Sequence, residues 1–173
     1  LQGHAGKVVS LAITTDGKLM ASAAHDFNVN LWSIQTSYRN RQQGGGGGDD
    51  DDQQVLYPIA TVVAHLGHVV DLQFAGPGQN YLASCSNDHQ VKCWKVKGTK
   101  IQEAWSVKEA HSTVVASICW GRGDTADVVY SGGWDGDVKA WRNGKCIATM
   151  SAHTKRVYEV MANNQGTLLL SAG

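Results

Sequence analysis

Four histidines, His4, His65, His111 and His153, open four related stretches: HAGKVVSLAI, HLGHVVDLQF, HSTVVASICW and HTKRVYEVMA. Internal repetition constrains a chain more than composition does, because each copy must fold as one unit that buries its faces against the next. A second block follows each histidine stretch: LMASAAHDFNVNLW, YLASCSNDHQVKCW and VVYSGGWDGDVKAW, with a shorter LLLSAG in the fourth copy. In every complete copy Ser precedes Asp by four residues (Ser22 and Asp26, Ser84 and Asp88, Ser131 and Asp135). Asp precedes Trp by six (Asp26 and Trp32, Asp88 and Trp94, Asp135 and Trp141). Chance does not produce two fixed spacings three times over.

The physical reading is a β-meander. Each histidine leads into a β-branched, apolar run of strand character. Between Ser and Trp lies a short turn rich in Asn, Asp, Gly and His, which joins two strands as a hairpin. The histidines are 61, 46 and 42 residues apart, and the last two intervals fit four-stranded propeller blades. The expected fold is an all-β partial β-propeller of four-stranded antiparallel blades, three complete plus half of a fourth. Blade one is predicted over Val8–Ile13, Leu19–Ala23, Asn28–Ser33 and Val55–Val63. Blade two is predicted over Val69–Phe74, Tyr81–Ser86, Gln90–Lys95 and Ile101–Val107. Blade three takes Val114–Trp120, Asp127–Gly132, Asp137–Trp141 and Cys146–Met150, and blade four Val157–Met161 and Thr167–Ser171.

These residues closely resemble the WD-repeat family over the whole chain save one insertion. The resemblance implies a buried hydrogen-bonded tetrad in each blade: His4–Ser22–Asp26–Trp32, His65–Ser84–Asp88–Trp94 and His111–Ser131–Asp135–Trp141, with a partial His153–Ser171. The chemistry is self-consistent. A buried Asp needs compensation, a His N–H supplies it, and a Ser hydroxyl can accept from an indole while donating to the imidazole. There are departures. No Trp is followed by Asp, since the dipeptides are Trp32-Ser33, Trp94-Lys95 and Trp141-Arg142. That removes support for the Trp-Asp-x-Arg pattern by which some relatives dock onto a cullin ubiquitin-ligase adaptor.

The blade-one repeat is long because residues 38–54 intervene, with GGGGGDDDD at their centre (Gly44–Asp52). Such a tract buries nothing and repels itself, so a flexible, solvated insertion at the bottom rim is expected. Three and a half blades do not close a ring, so the remaining blades are expected outside this segment. Fifteen basic and fifteen acidic residues cancel, which argues against a nucleic-acid partner. No run of 18 apolar residues suggests a membrane span. The four cysteines, Cys85, Cys93, Cys119 and Cys146, contain no CxxC pair and read as reduced thiols of an intracellular protein. Cys85 and Cys93 fall in adjacent predicted strands, and geometry decides whether they face each other.

Functional readings follow from position. Three equivalent Ser/His/Asp sets, each tied to a Trp and without a strained elbow, do not make a hydrolase. His65 and His68 alone make a poor metal site, and Arg122-Gly123-Asp124 is an adhesion tripeptide of low specificity. Neither catalysis, a metal nor a cofactor is expected. The resemblance implies protein binding on the top face. Its outward positions are the third and fifth residues after the tetrad His and the residue before the turn Asp. These are Lys7, Val9 and His25; His68, Val70 and Asn87; Val114, Ala116 and Trp134; and Arg156 and Tyr158. Trp134, Arg156 and Tyr158 are the residue types that anchor interfaces. The expected function is a non-catalytic scaffold or adaptor for other proteins. The alternatives are a substrate-recognition propeller of a larger enzyme such as a ubiquitin ligase, and a nucleic-acid-binding propeller with a basic stripe around Lys7, His25, His68 and Arg156.

Overall fold

A computed structural model describes residues 2–34, 57–151 and 153–173. The fold is an all-β partial propeller. Blade one comprises β1 (Val8–Ile13), β2 (Leu19–Ala24), β3 (Asn28–Ser33) and β4 (Ala60–Val63). Blade two comprises β5 (Val69–Phe74), β6 (Tyr81–Ser86), β7 (Val91–Lys97) and β8 (Lys100–Val107). Blade three comprises β9 (Val115–Trp120), β10 (Val129–Gly133), β11 (Val138–Arg142) and β12 (Lys145–Met150), and blade four β13 (Glu159–Ala162) and β14 (Leu169–Ala172). Every sheet is an antiparallel meander in chain order.

Strand boundaries moved where local chemistry intervened. The fourth strand of blade one begins at Ala60, after Pro58, which has no N–H to give a ladder. Val55 and Leu56 of that prediction, and the insertion at 38–54, lie outside the described residues. β10 starts at Val129 because a 3₁₀ turn (Gly123–Thr125) precedes it and the Val128 N–H is spent on Thr125 O at 2.9 Å. β13 starts at Glu159 because the Val157 N–H donates to Gly133 O of blade three at 3.0 Å.

Side-chain alternation assigns each strand one face per neighbour. Ala21, Ala23, Val29 and Leu31 of blade one pack against Leu72, Leu82 and Trp94 of blade two. The opposite face of blade two, with Ala83, Cys85, Val91 and Cys93, packs against Val115, Ile118 and Val129 of blade three. Val138 and Cys119 of blade three meet Val157 and Val160 of blade four. The core is therefore a series of layers between consecutive blades. The innermost strands β1, β5, β9 and β13 occur side by side, and hydrogen bonds cross between them. The Asp71 carboxylate accepts from Ser10 Oγ at 2.8 Å, Ser117 Oγ at 3.2 Å and the Ile118 N–H at 3.1 Å. Val160 N–H in turn donates to Ser117 Oγ at 3.2 Å.

Candidate interaction face

The tetrads underlie the surface, because they fix the turns that present it. In blade two, His65 Nδ1 lies 3.1 Å from Asp88 Oδ2, His65 Nε2 lies 2.9 Å from Ser84 Oγ, and the Trp94 indole N–H donates to Ser84 Oγ at 2.8 Å. Blade one repeats this with His4, Asp26, Ser22 and Trp32, and blade three with His111, Asp135, Ser131 and Trp141. In blade four His153 Nε2 stands 2.7 Å from Ser171 Oγ.

Proton placement follows from burial. Burial holds the imidazoles of His65 and His111 below the ordinary histidine range, against the pull of their Asp partners. A neutral ring donates from Nδ1 to the carboxylate, so Nε2 accepts the Ser hydroxyl and the Ser oxygen is free to accept the indole. Burial pushes the Asp88 carboxyl up, but hydrogen bonds from His65, Leu66 and Gln90 outweigh it and hold the group well below the usual carboxylate range. The same balance lowers Asp26 and Asp135.

Each tetrad Asp also shapes its turn. Its second oxygen accepts the N–H of the residue after the His: Ala5 at 2.8 Å, Leu66 at 2.9 Å and Ser112 at 3.0 Å. Its first accepts the N–H two residues on: Asn28, Gln90 and Asp137. The intervening residue is forced left-handed, with φ 70° at Phe27, 70° at His89 and 89° at Gly136. The residue before the Asp is thereby thrown outward on the top face.

There the side chains meet in pairs across blade junctions. His25 of blade one stands edge-on to His68 of blade two, ring centroids 4.2 Å apart, with Phe27 at 5.6 Å from His68. Trp134 of blade three carries the Arg156 guanidinium of blade four over its ring at 4.2 Å. Tyr158 and Lys155 complete a cavity of about 400 Å³ with Trp134, Arg156 and Gly173. Trp134 is 36% exposed and Tyr158 59%, which suits contact rather than packing. Lys7 and Asn87 are exposed but belong to neither cluster, and Val9, Val70 and Ala116 lie along the inner strands. Val114, predicted to open β9, stands just before it with its carbonyl accepting the Trp134 N–H at 2.9 Å. Sequence reasoning named the outward positions singly. It did group Trp134 with Arg156 and Tyr158 of the next blade, but it missed the pairing of His25 with His68, and with it Phe27, and it missed Lys155. No local signal marked Phe27, because of the three residues at that corner only Gly136 advertises a left-handed backbone.

Two glycines make the second junction. A Cβ at Gly132 would come within 2.7 Å of Val157 and 2.9 Å of Val160, and one at Gly133 would overlap His111 and Asp135. The bareness of Gly132 lets β13 approach, that of Gly133 leaves room for the tetrad beside it, and Arg156 arrives over Trp134 as the neighbour of Val157. The thiols contribute nothing here. Cys93 and Cys119 are pushed by burial up to about 12, and Cys85 well above its ordinary value. Cys85 pairs across the ladder with Val91 and Cys93 with Ala83, so the two are offset, and all four cysteines are free.

A second cavity, of about 410 Å³, opens along the inner strands beside Asp71, Gln73 and Arg122. Among the described residues no three metal-ligating side chains come together, and no helix is long and apolar enough to cross a membrane.

The family model described as "WD domain, G-beta repeat" matches residues 1–33, 56–95 and 144–173. The chain is similar to Protein hir1 of Schizosaccharomyces pombe, at 30% identity over 90% of this chain and 18% of the relative. It is 32% identical to Topless-related protein 3 of Arabidopsis thaliana, over 64% of this chain and 10% of that protein. It is 23% identical to WD repeat-containing protein pop2 of Schizosaccharomyces pombe, over 93% of this chain and 24% of that one. The chain thus spans less than a quarter of the length of these relatives.

Proposed function

The chain belongs to the WD-repeat family, and on that premise we propose that it is a non-catalytic platform on which other proteins assemble, engaging them through the top face of blades three and four. The observation that carries this reading is the exposed Trp134–Arg156–Tyr158 cluster. Large amphipathic side chains left in solvent, and held still by a rigid turn, are what an interface anchor needs. Catalysis is a poor fit. The candidate nucleophiles Ser22, Ser84 and Ser131 are 2%, 0% and 0% exposed and are each held between an imidazole and an indole. Four free thiols, three of them buried, favour a reducing intracellular setting.

The test is a differential pull-down with the full-length parent protein. Wild type is compared with a Trp134→Ala, Arg156→Ala, Tyr158→Ala variant and with a control variant, Asp127→Ala, at an exposed ion pair remote from the tetrad turns. Thermal midpoints are matched first. Partners lost from the triple variant and kept by the control support the reading. An unchanged partner set refutes it.

A further inference from the structure

The charge around the top cavity narrows the partner. Among the described residues, Trp134, Lys155, Arg156, Tyr158 and Gly173 line it, and of these two are cations and none is acidic. Among the described residues, every ion pair formed leaves Lys155 and Arg156 without a carboxylate. The acidic neighbour, Asp135, turns the other way, where it accepts from His111, Ser112 and Asp137. The Arg156 guanidinium lies over the Trp134 ring, so its flat face is occupied while its N–H edge remains available. An edge of that kind takes a carboxylate through two parallel hydrogen bonds, and the stacking ring holds it in place beforehand. Trp134 and Tyr158 supply apolar walls on either side.

Resting on the interaction reading above, we propose that this cavity recognises an acidic peptide segment of a partner protein. An Asp or Glu carboxylate docks on the guanidinium edge of Arg156 with Lys155 as second cation, and a flanking apolar residue packs between Trp134 and Tyr158. A neutral segment offers those N–H groups only uncharged oxygens, and a basic one repels them. The net charge of the chain is zero, so the preference is local to the cavity.

A displayed library of random twelve-residue peptides is selected on the full-length parent protein and counter-selected on its Trp134→Ala, Arg156→Ala variant. The expected result is enrichment of Asp and Glu beside an apolar residue. A selected peptide and its Asn/Gln counterpart are then compared by fluorescence polarisation. The amide version binds at least tenfold more weakly to wild type, and Arg156→Ala abolishes the difference. Arg156→Lys, which keeps charge but loses the fork, falls between. Arg156→Gln replaces Arg156→Ala if the alanine variant has a lowered thermal midpoint. Selection without acidic residues, equal binding of acid and amide peptides, or discrimination that survives Arg156→Ala overturns the proposal. So does a single-stranded oligonucleotide that competes through Arg156 more tightly than any selected peptide. Any of these with partners still lost from the triple variant leaves the platform reading intact, whereas an unchanged partner set removes both.

Discussion

At the scale of the residue, the tetrads hold polar groups where water cannot reach. Ser84 is fully buried and serves both Trp94 and His65. Ser84→Ala strands both, at an expected cost of about 1–3 kcal/mol read from the urea midpoint. The pH dependence follows from the same network. His65 and His111 have folded values below their unfolded ones, as do Asp88 and Asp135. Each therefore contributes stability that is complete above its unfolded value and lost as pH falls. The histidine share begins to go below about pH 6.5 and the carboxylate share below about pH 4. Urea midpoints taken downward from pH 7.5 are expected to fall in those two windows, and a flat profile would contradict the neutral-imidazole assignment. Asp71 acts in the opposite sense. Burial raises its carboxyl, so its protonation favours the fold, and Asp71→Asn steepens the acid loss.

At the scale of the element, the hairpin turns show how much could be read beforehand and why the rest could not. Ser, Asp and Trp at fixed spacings name the hydrogen-bonding partners, because a tetrad needs those side chains at those separations. The left-handed corner after each Asp was not legible, since Phe27 and His89 stand where only Gly136 advertises it. A side chain there costs about 1 kcal/mol, so His89→Gly is expected to be neutral or to stabilise by up to that amount. That reverses the usual penalty for glycine, and a clear fall in the thermal midpoint would contradict it. Strand ends were legible only within a few residues, because the deciding groups are distant. β13 loses its first residues to Gly133 of another blade, which no local pattern announces. The grouping of Trp134 with Arg156 was legible from their positions, but the stacking of one on the other was not, being set by the close approach at Gly132. Gly132→Ala forces Val157 and Val160 apart and is expected to cost about 1–3 kcal/mol. It should also weaken peptide capture at the junction.

At the scale of the whole molecule, the two outer faces differ from the layers between blades. Leu11 and Ile13 on blade one are 58% and 57% exposed, and Met161 and Leu170 on blade four 48% and 55%. Apolar patches of this kind bind hydrophobic dyes and associate. The 173-residue segment prepared alone is expected to enhance anilinonaphthalene sulfonate fluorescence, with Leu11→Gln and Leu170→Gln together reducing the signal and leaving the urea midpoint within about 0.5 kcal/mol. Stacked-repeat proteins are ordinarily chains of nearest neighbours, whose energies add link by link. Asp71 of blade two joins two such links in a single carboxylate, since one oxygen holds Ser10 of blade one and the other Ser117 of blade three. Ser10 and Ser117, two blades apart, thus compete and cooperate for one charge. A double-mutant cycle between Ser10→Ala and Ser117→Ala should return a non-zero coupling energy, where sites this far apart normally return none. Two links of the string share one knot at that point, so damage to one blade is expected to be felt by the next but one.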